Sequence, residues 1–294
     1  MNKVGFIGVG IMGKSMVRNL MKAGFELHIY ARTKSKVEDV IGEGAQFHES
    51  LKDCVQDCDA VITIVGFPQD VEEVYFDEGN ILDSAKEGAY LIDMTTTSPQ
   101  IAEKIYAEGT KRGFHVMDAP VTGGDTGAKA GTLSILVGGE KEDYEACMPL
   151  FEAMGTNINY QGKAGCGQHC KLANQIMIAG TLSGVCEALT YAKEQGLDPE
   201  VFMKSVATGA AGSKQLDTFG PKILKDDYAP GFFMKHFIKD MKLALIEANR
   251  KGLSLDVLSM VLANYEELEQ EGYGDLGTQA LMKFYDEEHR NTEE

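Results

Sequence analysis

Basic side chains are scarce in this chain. Lysine and arginine number 28 against 45 aspartates and glutamates, for a net charge of −17. So anionic a surface repels phosphate backbones, and nucleic acid is not an expected partner. Long apolar runs are missing too. None approaches the roughly 18 uninterrupted residues that predict a membrane span, so no membrane partner is expected. The first residues already read as strand, with no signal-peptide pattern, and the cytoplasm is the expected compartment. Cysteine is sparse, and the six at positions 54, 58, 147, 166, 170 and 186 build no disulfide framework. On a helix, Cys166, His169 and Cys170 would stand three and four residues apart, a spacing that can hold a soft metal. No second Cys/His cluster supplies the remaining ligands, and Lys171 is an awkward neighbour for a cation, so no metal is expected. Internal repeats and low-complexity segments are also lacking.

What the chain does have is an ordinary globular composition, 44% hydrophobic and 25% charged, over 294 residues. That length supports two domains with separate cores. The most informative stretch is the first 32 residues. Lys3 to Ile7 reads as a short apolar strand running into Gly8-Val9-Gly10-Ile11-Met12-Gly13, a G-x-G-x-x-G loop. A helix-like pattern follows, with Met16, Val17, Leu20 and Met21 on one face, and it stops at Gly24. A second apolar run spans Leu27 to Tyr30. Strand, glycine loop, amphipathic helix and second strand together predict a dinucleotide site. Gly8 permits the tight turn, Gly10 lets backbone approach a pyrophosphate, and Gly13 lets the helix pack on the strand. The helix N-terminus then offers unpaired N–H groups and partial positive charge to the phosphates.

One further absence bears on the cofactor. An acid about 20 residues past the glycines would hydrogen-bond the ribose 2′-OH of NAD. Here the second strand ends in Arg32, with Thr33, Lys34 and Lys36 beside it and no acid before Glu38. A guanidinium suits a 2′-phosphate by charge and fork geometry, so NADP(H) is predicted over NAD(H).

Strand signals recur at Ala60 to Val65, Tyr90 to Asp93, His115 to Asp118 and Leu133 to Val137, with helical stretches such as Ile101 to Arg112 between them. This alternation predicts an α/β fold with a doubly wound, mostly parallel Rossmann-type sheet. Residues just after such strands face the cofactor crevice. Val65-Gly66, Thr95-Thr96 and Thr122-Gly123-Gly124 are therefore site candidates. Gly162 to Gly167 reads as a loop. From about Gln168 to Gln195 runs a long Ala- and Met-rich segment without proline, the signature of a buried helix. Gly180 and Gly184 within it predict close packing by another helix. Further helical patterns cover Pro199 to Gly209, Ile238 to Lys251, Leu255 to Gln270 and Thr278 to Asp286, and Glu287 to Glu294 reads as a frayed tail. Residues 1–162 are thus expected to form a dinucleotide-binding domain, and 163–294 an all-α domain for substrate and dimerisation. So long an apolar helix in so small a domain predicts a homodimer or homotetramer.

Four motifs give the chain a family resemblance over nearly its whole length. They are Gly5-Phe6-Ile7-Gly8-Val9-Gly10-Ile11-Met12-Gly13, Asp118-Ala119-Pro120-Val121-Thr122-Gly123-Gly124, Gly165-Cys166-Gly167-Gln168-His169-Cys170-Lys171-Leu172-Ala173-Asn174 and Lys239-Asp240-Met241-Lys242-Leu243-Ala244. In this order and spacing they resemble the β-hydroxyacid dehydrogenases, the 3-hydroxyisobutyrate dehydrogenase family. The resemblance implies that Lys171 is the catalytic lysine and Asn174 the substrate-orienting asparagine. It implies that Thr122, Gly123 and Gly124 hold the substrate carboxylate, that Thr96 and Lys239 lie near the nicotinamide end, and that Val65-Gly66 line the cofactor cleft. Two departures stand out: the family most often has Ser at Thr122 and Leu-Pro at Val65-Gly66.

The residues themselves agree. Lys171 and Asn174 are three apart and share a helix face, which Ile178 continues as an apolar wall. A lysine beside apolar surface is partly desolvated, which lowers its pKa and lets it exchange a proton with a hydroxyl. Asn174 can offer an amide donor. Bare N–H groups at Gly123 and Gly124, with the Thr122 hydroxyl, make a compact anion nest. The implied activity is hydride transfer between NADP(H) and a small carboxylate-bearing semialdehyde or 3-hydroxyacid. The alternatives are a 6-phosphogluconate-type dehydrogenase, disfavoured by Asn174 and Ile178 where that family has His and Glu, and a non-catalytic cofactor sensor. Imine reductases generally replace the lysine.

Overall fold

The computed structural model describes residues 1–285 and divides into two compact units, Met1–Lys171 and the segment from Leu172 onward. The first is an α/β unit built on nine strands: β1 Lys3–Ile7, β2 Glu26–Tyr30, β3 Gln46–Phe47, β4 Ala60–Thr63, β5 Tyr90–Asp93, β6 His115–Asp118, β7 Val121–Thr122, β8 Leu133–Gly138 and β9 Gly155–Gly162. Their order is β3-β2-β1-β4-β5-β6-β8-β7, with β9 on the free side of β8's pairing. All neighbours from β3 to β6 are parallel, β8 runs antiparallel to β6 and β7, and β9 is parallel to β8. This is a doubly wound Rossmann-type sheet.

The strands β1, β2, β4, β5, β6 and β8 form because their residues are largely apolar on both faces, as a sheet covered on both sides requires. Alternate side chains feed opposite cores. Val4, Phe6, Ile62 and Ile92 join one buried cluster, while Ile7, Val61 and Leu91 join the other. The first helix, Ile11–Lys22, lays Met16, Val17 and Leu20 fully buried on the first of these clusters. It ends at Ala23 and Gly24, where Gly24 takes φ +94°.

Several boundaries differ from those expected. β4 stops at Thr63, so Val65 lies past the strand. β3, β7 and β9 carried no readable signal: the first two have only two residues each, and β9 is a largely exposed, polar run. The loop read over Gly162–Gly167 shrinks to 163–165, because β9 runs to Gly162 and a helix begins at Cys166.

That helix, Cys166–Glu194, has 29 residues. By length and composition it could cross a bilayer, although polar residues interrupt its apolar runs. Leu182, Cys186 and Leu189 are instead buried in the core of the second unit. This unit is all helical, with helices Pro199–Val206, Lys214–Ile223, Met234–Arg250 and Asp256–Gln270 and 3-10 segments Tyr273–Asp275 and Thr278–Tyr285. Lys214–Ile223 was not anticipated; Gly220 and Pro221 inside it masked the pattern. The terminal element is 3-10 rather than α, and Asp286 and the tail Glu287–Glu294 lie outside the described residues. Of the packing expected at the two glycines, only Gly180 has a neighbour on another helix among the described residues. A Cβ on Gly180 would make only an ordinary contact with Val257 at 3.6 Å, and one on Gly184 would meet nothing within 4 Å.

Candidate active site

The glycine loop sits at the carboxyl end of β1. Gly8 takes φ +95°, and a Cβ there would lie 2.1 Å from the Ile64 carbonyl oxygen. A Cβ on Gly13 would lie 2.1 Å from the Gly8 carbonyl oxygen, so only glycine lets the helix approach its own turn. At Gly10, the N-cap of the first helix, a Cβ would meet no atom within 4 Å. Backbone is bare and accessible there, as a pyrophosphate requires. The first turn of the helix holds no acidic residue, leaving its N-terminal dipole available to an anion. Val9 is buried, Met12 half-buried, and Ile11 exposed. These residues fit a dinucleotide.

The strand order reverses between β1 and β4, and ligands of such sheets bind at that switch point. Val65 and Gly66 follow β4 there, both half-buried, and the Val65 N–H donates to Thr95 Oγ1 at 3.0 Å. Arg32 lies two residues past β2, exposed, and its guanidinium is ion-paired with Asp70. That carboxylate raises the guanidinium pKa further. The other Asp70 oxygen accepts the Phe67 N–H at 2.9 Å at the start of the helix Pro68–Phe76. Sequence reasoning missed Asp70; no local pattern marks a partner 38 residues away. Thr33 and Lys36 are exposed at either end of a short 3-10 turn.

The ends of β5 and β6 hold a buried polar cluster. Asp93 accepts from Thr63 Oγ1 at 2.7 Å and from the Thr95 N–H at 3.1 Å. Its other oxygen has no hydrogen-bond partner. Burial pushes the Asp93 carboxyl up to about 6, and the charge of Asp118 adds to the effect. Asp118 accepts the Gly165 N–H at 2.7 Å through Oδ1 and the Gln168 N–H at 2.8 Å through Oδ2. Burial raises its pKa, while these backbone bonds oppose the rise. Gln168 is fully buried; its amide donates to the Thr95 carbonyl at 2.7 Å and accepts the Thr97 N–H at 3.0 Å. Thr96, between those two, is half-buried. Lys171, one turn past Gln168, is 7% exposed.

Thr122 is not in a loop, as its place after β6 suggested. It forms β7 with Val121 and pairs with Ser134 of β8. Gly123 and Gly124 follow at φ +130° and +65°, both exposed, and the chain turns there into the short helix Gly124–Ala130. Residues with side chains pay strain in that region of φ, so the turn needs glycine.

In the helical unit, Asn174 and Lys239 are joined by one polar chain. Asn174 Nδ2 donates to Gln175 Oε1 at 2.7 Å, Gln175 Nε2 donates to Asp240 Oδ2 at 2.7 Å, and Lys239 Nζ lies 3.0 Å from Asp240 Oδ1. Gln175 and Asp240 are buried and were not singled out from sequence, though each adjoins a residue that was. Phe237 packs fully buried against Tyr265, with ring centroids 5.4 Å apart, and so belongs to the core. Ile178 packs at the edge of the same core. Among the described residues, no group of three or more His, Cys, Asp or Glu side chains is arranged to hold a metal.

Comparisons with known proteins cover both units. Residues 3–162 match the family model described as the NAD-binding domain of 6-phosphogluconate dehydrogenase. Residues 165–285 match the one described as the NAD-binding of NADP-dependent 3-hydroxyisobutyrate dehydrogenase. A 3-hydroxyisobutyrate dehydrogenase-like protein of Arabidopsis thaliana is 44% identical over 95% of this chain and 84% of its own length. The 2-hydroxy-3-oxopropionate reductase of Escherichia coli is 37% identical over 86% of each. The solved structure of Mycobacterium tuberculosis 3-hydroxyisobutyrate dehydrogenase with L-serine superposes with a TM-score of 0.87 at 26% identity, over 96% of this chain and 98% of that one.

Proposed function

Since the chain belongs to the β-hydroxyacid dehydrogenase family, NAD(P)-dependent oxidoreductases of the 3-hydroxyacid type, we propose that it is an NADPH-linked reductase of a small carboxylate-bearing semialdehyde. The same groups would serve the reverse oxidation of a 3-hydroxyacid. A nicotinamide cofactor, when bound, would supply the hydride to the aldehyde carbon. Lys171 gives its proton to the nascent alkoxide, and takes it back in oxidation. Asn174, its amide fixed by Gln175, orients the substrate. The Thr122 hydroxyl and the Gly123 and Gly124 N–H groups hold the carboxylate. Val65, Gly66, Thr96 and Lys239 serve the cofactor cleft and the nicotinamide end. Gly8 to Gly13 cradle the pyrophosphate. Arg32, with Thr33 and Lys36, takes the 2′-phosphate of NADP(H) in preference to NAD(H). The observation that carries this reading is a lysine buried near the start of a helix, one turn past a clamp on the β5 strand end. A homodimer or homotetramer completes the proposal.

The test is NADPH and NADH oxidation with glyoxylate, succinic semialdehyde, tartronate semialdehyde and methylmalonate semialdehyde, using wild type and Arg32→Asp. Turnover of at least one substrate is expected, with NADPH favoured by about tenfold or more, the worth of one charge-assisted contact of about 1.4 kcal/mol. Arg32→Asp should raise KM for NADPH. Tight NADPH binding without turnover would favour a cofactor sensor, and equal use of both cofactors would remove the NADP assignment.

A further inference from the structure

We infer that Gln168 is a positioning residue that sets the amine of Lys171 against the backbone around Thr96; this rests on the reading of Lys171 as acid and base. The Gln168 side chain is fully buried and grips main chain on both sides of Thr96, donating to the Thr95 carbonyl at 2.7 Å and accepting the Thr97 N–H at 3.0 Å. Donating and accepting from one planar end is the property of a primary amide. The clamp is rooted from below. Asp118 holds the Gly165 and Gln168 N–H groups with its two oxygens, so the first turn of the helix is pinned to the end of β6. Between them a Cβ on Gly167 would lie 2.4 Å from the Leu136 carbonyl oxygen and 2.8 Å from that of Asp118. The helix is thus seated as close as backbone allows. Lys171 stands three residues on, over the same helix face.

Apolar packing alone lets a helix start rotate or slide by fractions of an ångström. Two directional hydrogen bonds to one strand end do not. The clamp also reaches the cofactor side, since Thr95 Oγ1 accepts the Val65 N–H and the Thr95 N–H donates to Asp93. One amide therefore ties the acid–base helix to the segment after β5, and through it to the segment after β4. A displacement of about 1 Å in such geometry can cost on the order of 10² in rate.

Two variants test this. Gln168→Met keeps length and removes both bonds. Gln168→Glu can accept the Thr97 N–H, but as a carboxylate it opposes the Thr95 carbonyl, and only its protonated form restores the donor. Gln168→Met is expected to lower kcat by about 10–100-fold, with KM for semialdehyde and NADPH within about threefold. Gln168→Glu should recover toward wild type as pH falls. The facing groups that titrate or carry charge (Asp93, Asp118, His169 and Lys171) are common to both proteins, so the variant-to-wild-type ratio isolates position 168. The readout independent of turnover is modification of Lys171 by trinitrobenzenesulfonate, followed by peptide mass mapping. It should quicken several-fold in Gln168→Met, and in Gln168→Glu only at the higher pH. Unchanged kcat and unchanged labelling in Gln168→Met would overturn the inference. If Gln168→Met does not fold, a flat pH ratio and flat labelling in Gln168→Glu would do so. If the wild type turns over none of the semialdehydes, the functional reading fails by itself, and the labelling still decides whether Gln168 places the amine.

Discussion

A surface lysine usually snorkels, laying its methylenes on apolar surface with its amine in water. Lys171 as a whole is only 7% exposed, and its position near the start of a long helix makes its burial a property of the backbone. Burying a lysine is costly unless its amine is paired, and on the proposed reading the side chain is held there for proton transfer. Lys171→Ala should therefore lower kcat by about 10² or more, in the range that loss of a general acid or base causes. Steady-state rates with NADPH and the best semialdehyde measure it, and a variant retaining turnover within about threefold of wild type would refute the role. The residue scale also shows where sequence runs out. Lys171 could be singled out because it lies in a motif. Asp70 and Gln175 could not, because hydrogen bonds between distant residues leave no trace in local pattern, and the motif that holds Asp240 does not say what it binds. Phe237 is a core residue, and the direction of its ring is set by tertiary packing that no local pattern shows.

Between residue and fold, β5 and β6 lie side by side in parallel register with Asp93 opposite Asp118. Two buried carboxyls at neighbouring strand ends disfavour each other's charge, and burial disfavours both. The Asp93 carboxyl rises from 3.8 to about 6. The folded state therefore holds that proton more tightly than the unfolded chain. The stability it contributes is fully present below about pH 4 and is lost as pH rises through about 6, with a ceiling of about 3 kcal/mol. Asp93→Asn keeps the acceptor used by Thr63 and Thr95 and cannot ionise. The difference in Tm between Asp93→Asn and wild type should move in favour of the variant as pH is raised from 4 to 7. Thermal denaturation across that range checks it, and a constant difference would show that Asp93 is not the group responsible. Elements themselves were legible in proportion to their burial. β1, β2, β4, β5, β6 and β8 read clearly because a sheet covered on both faces demands continuous apolar runs. β9 is an exposed polar strand, fixed by backbone pairing with β8, and its side chains carry no pattern to read. The long helix was visible as a helix, yet its start was read two residues late, because the Gly165-Cys166-Gly167 stretch resembles a loop until Asp118 is seen to bind its N–H groups.

At the scale of the molecule, an acidic chain carries an apolar face on its long helix Cys166–Glu194. Met177 is 73% exposed and Tyr191 67% exposed, and Gly184 between them is exposed as well. Val257 and Met260, on the helix Asp256–Gln270, are also more than half exposed. Scattered exposed apolar residues are normal, but Met177, Gly184 and Tyr191 recur at sevens on one helix, the spacing of a stripe. The small residues Gly180 and Gly184 in that stripe would let another backbone approach, and the described residues supply none at Gly184. A second copy is the occupant already proposed. Gly184→Arg separates this from a purely intramolecular account. Within one chain the new side chain has open space, and arginine favours helix over glycine by up to about 1 kcal/mol, so the fold should be unharmed or slightly steadier. In an assembly paired through this stripe, the same side chain would put a bulky charge between close-packed helices. Sedimentation velocity should then find wild type as a dimer or tetramer and Gly184→Arg shifted toward monomer, with far-ultraviolet circular dichroism unchanged. If the variant sediments with the same oligomeric mass as wild type, the stripe is not the contact that holds the copies together.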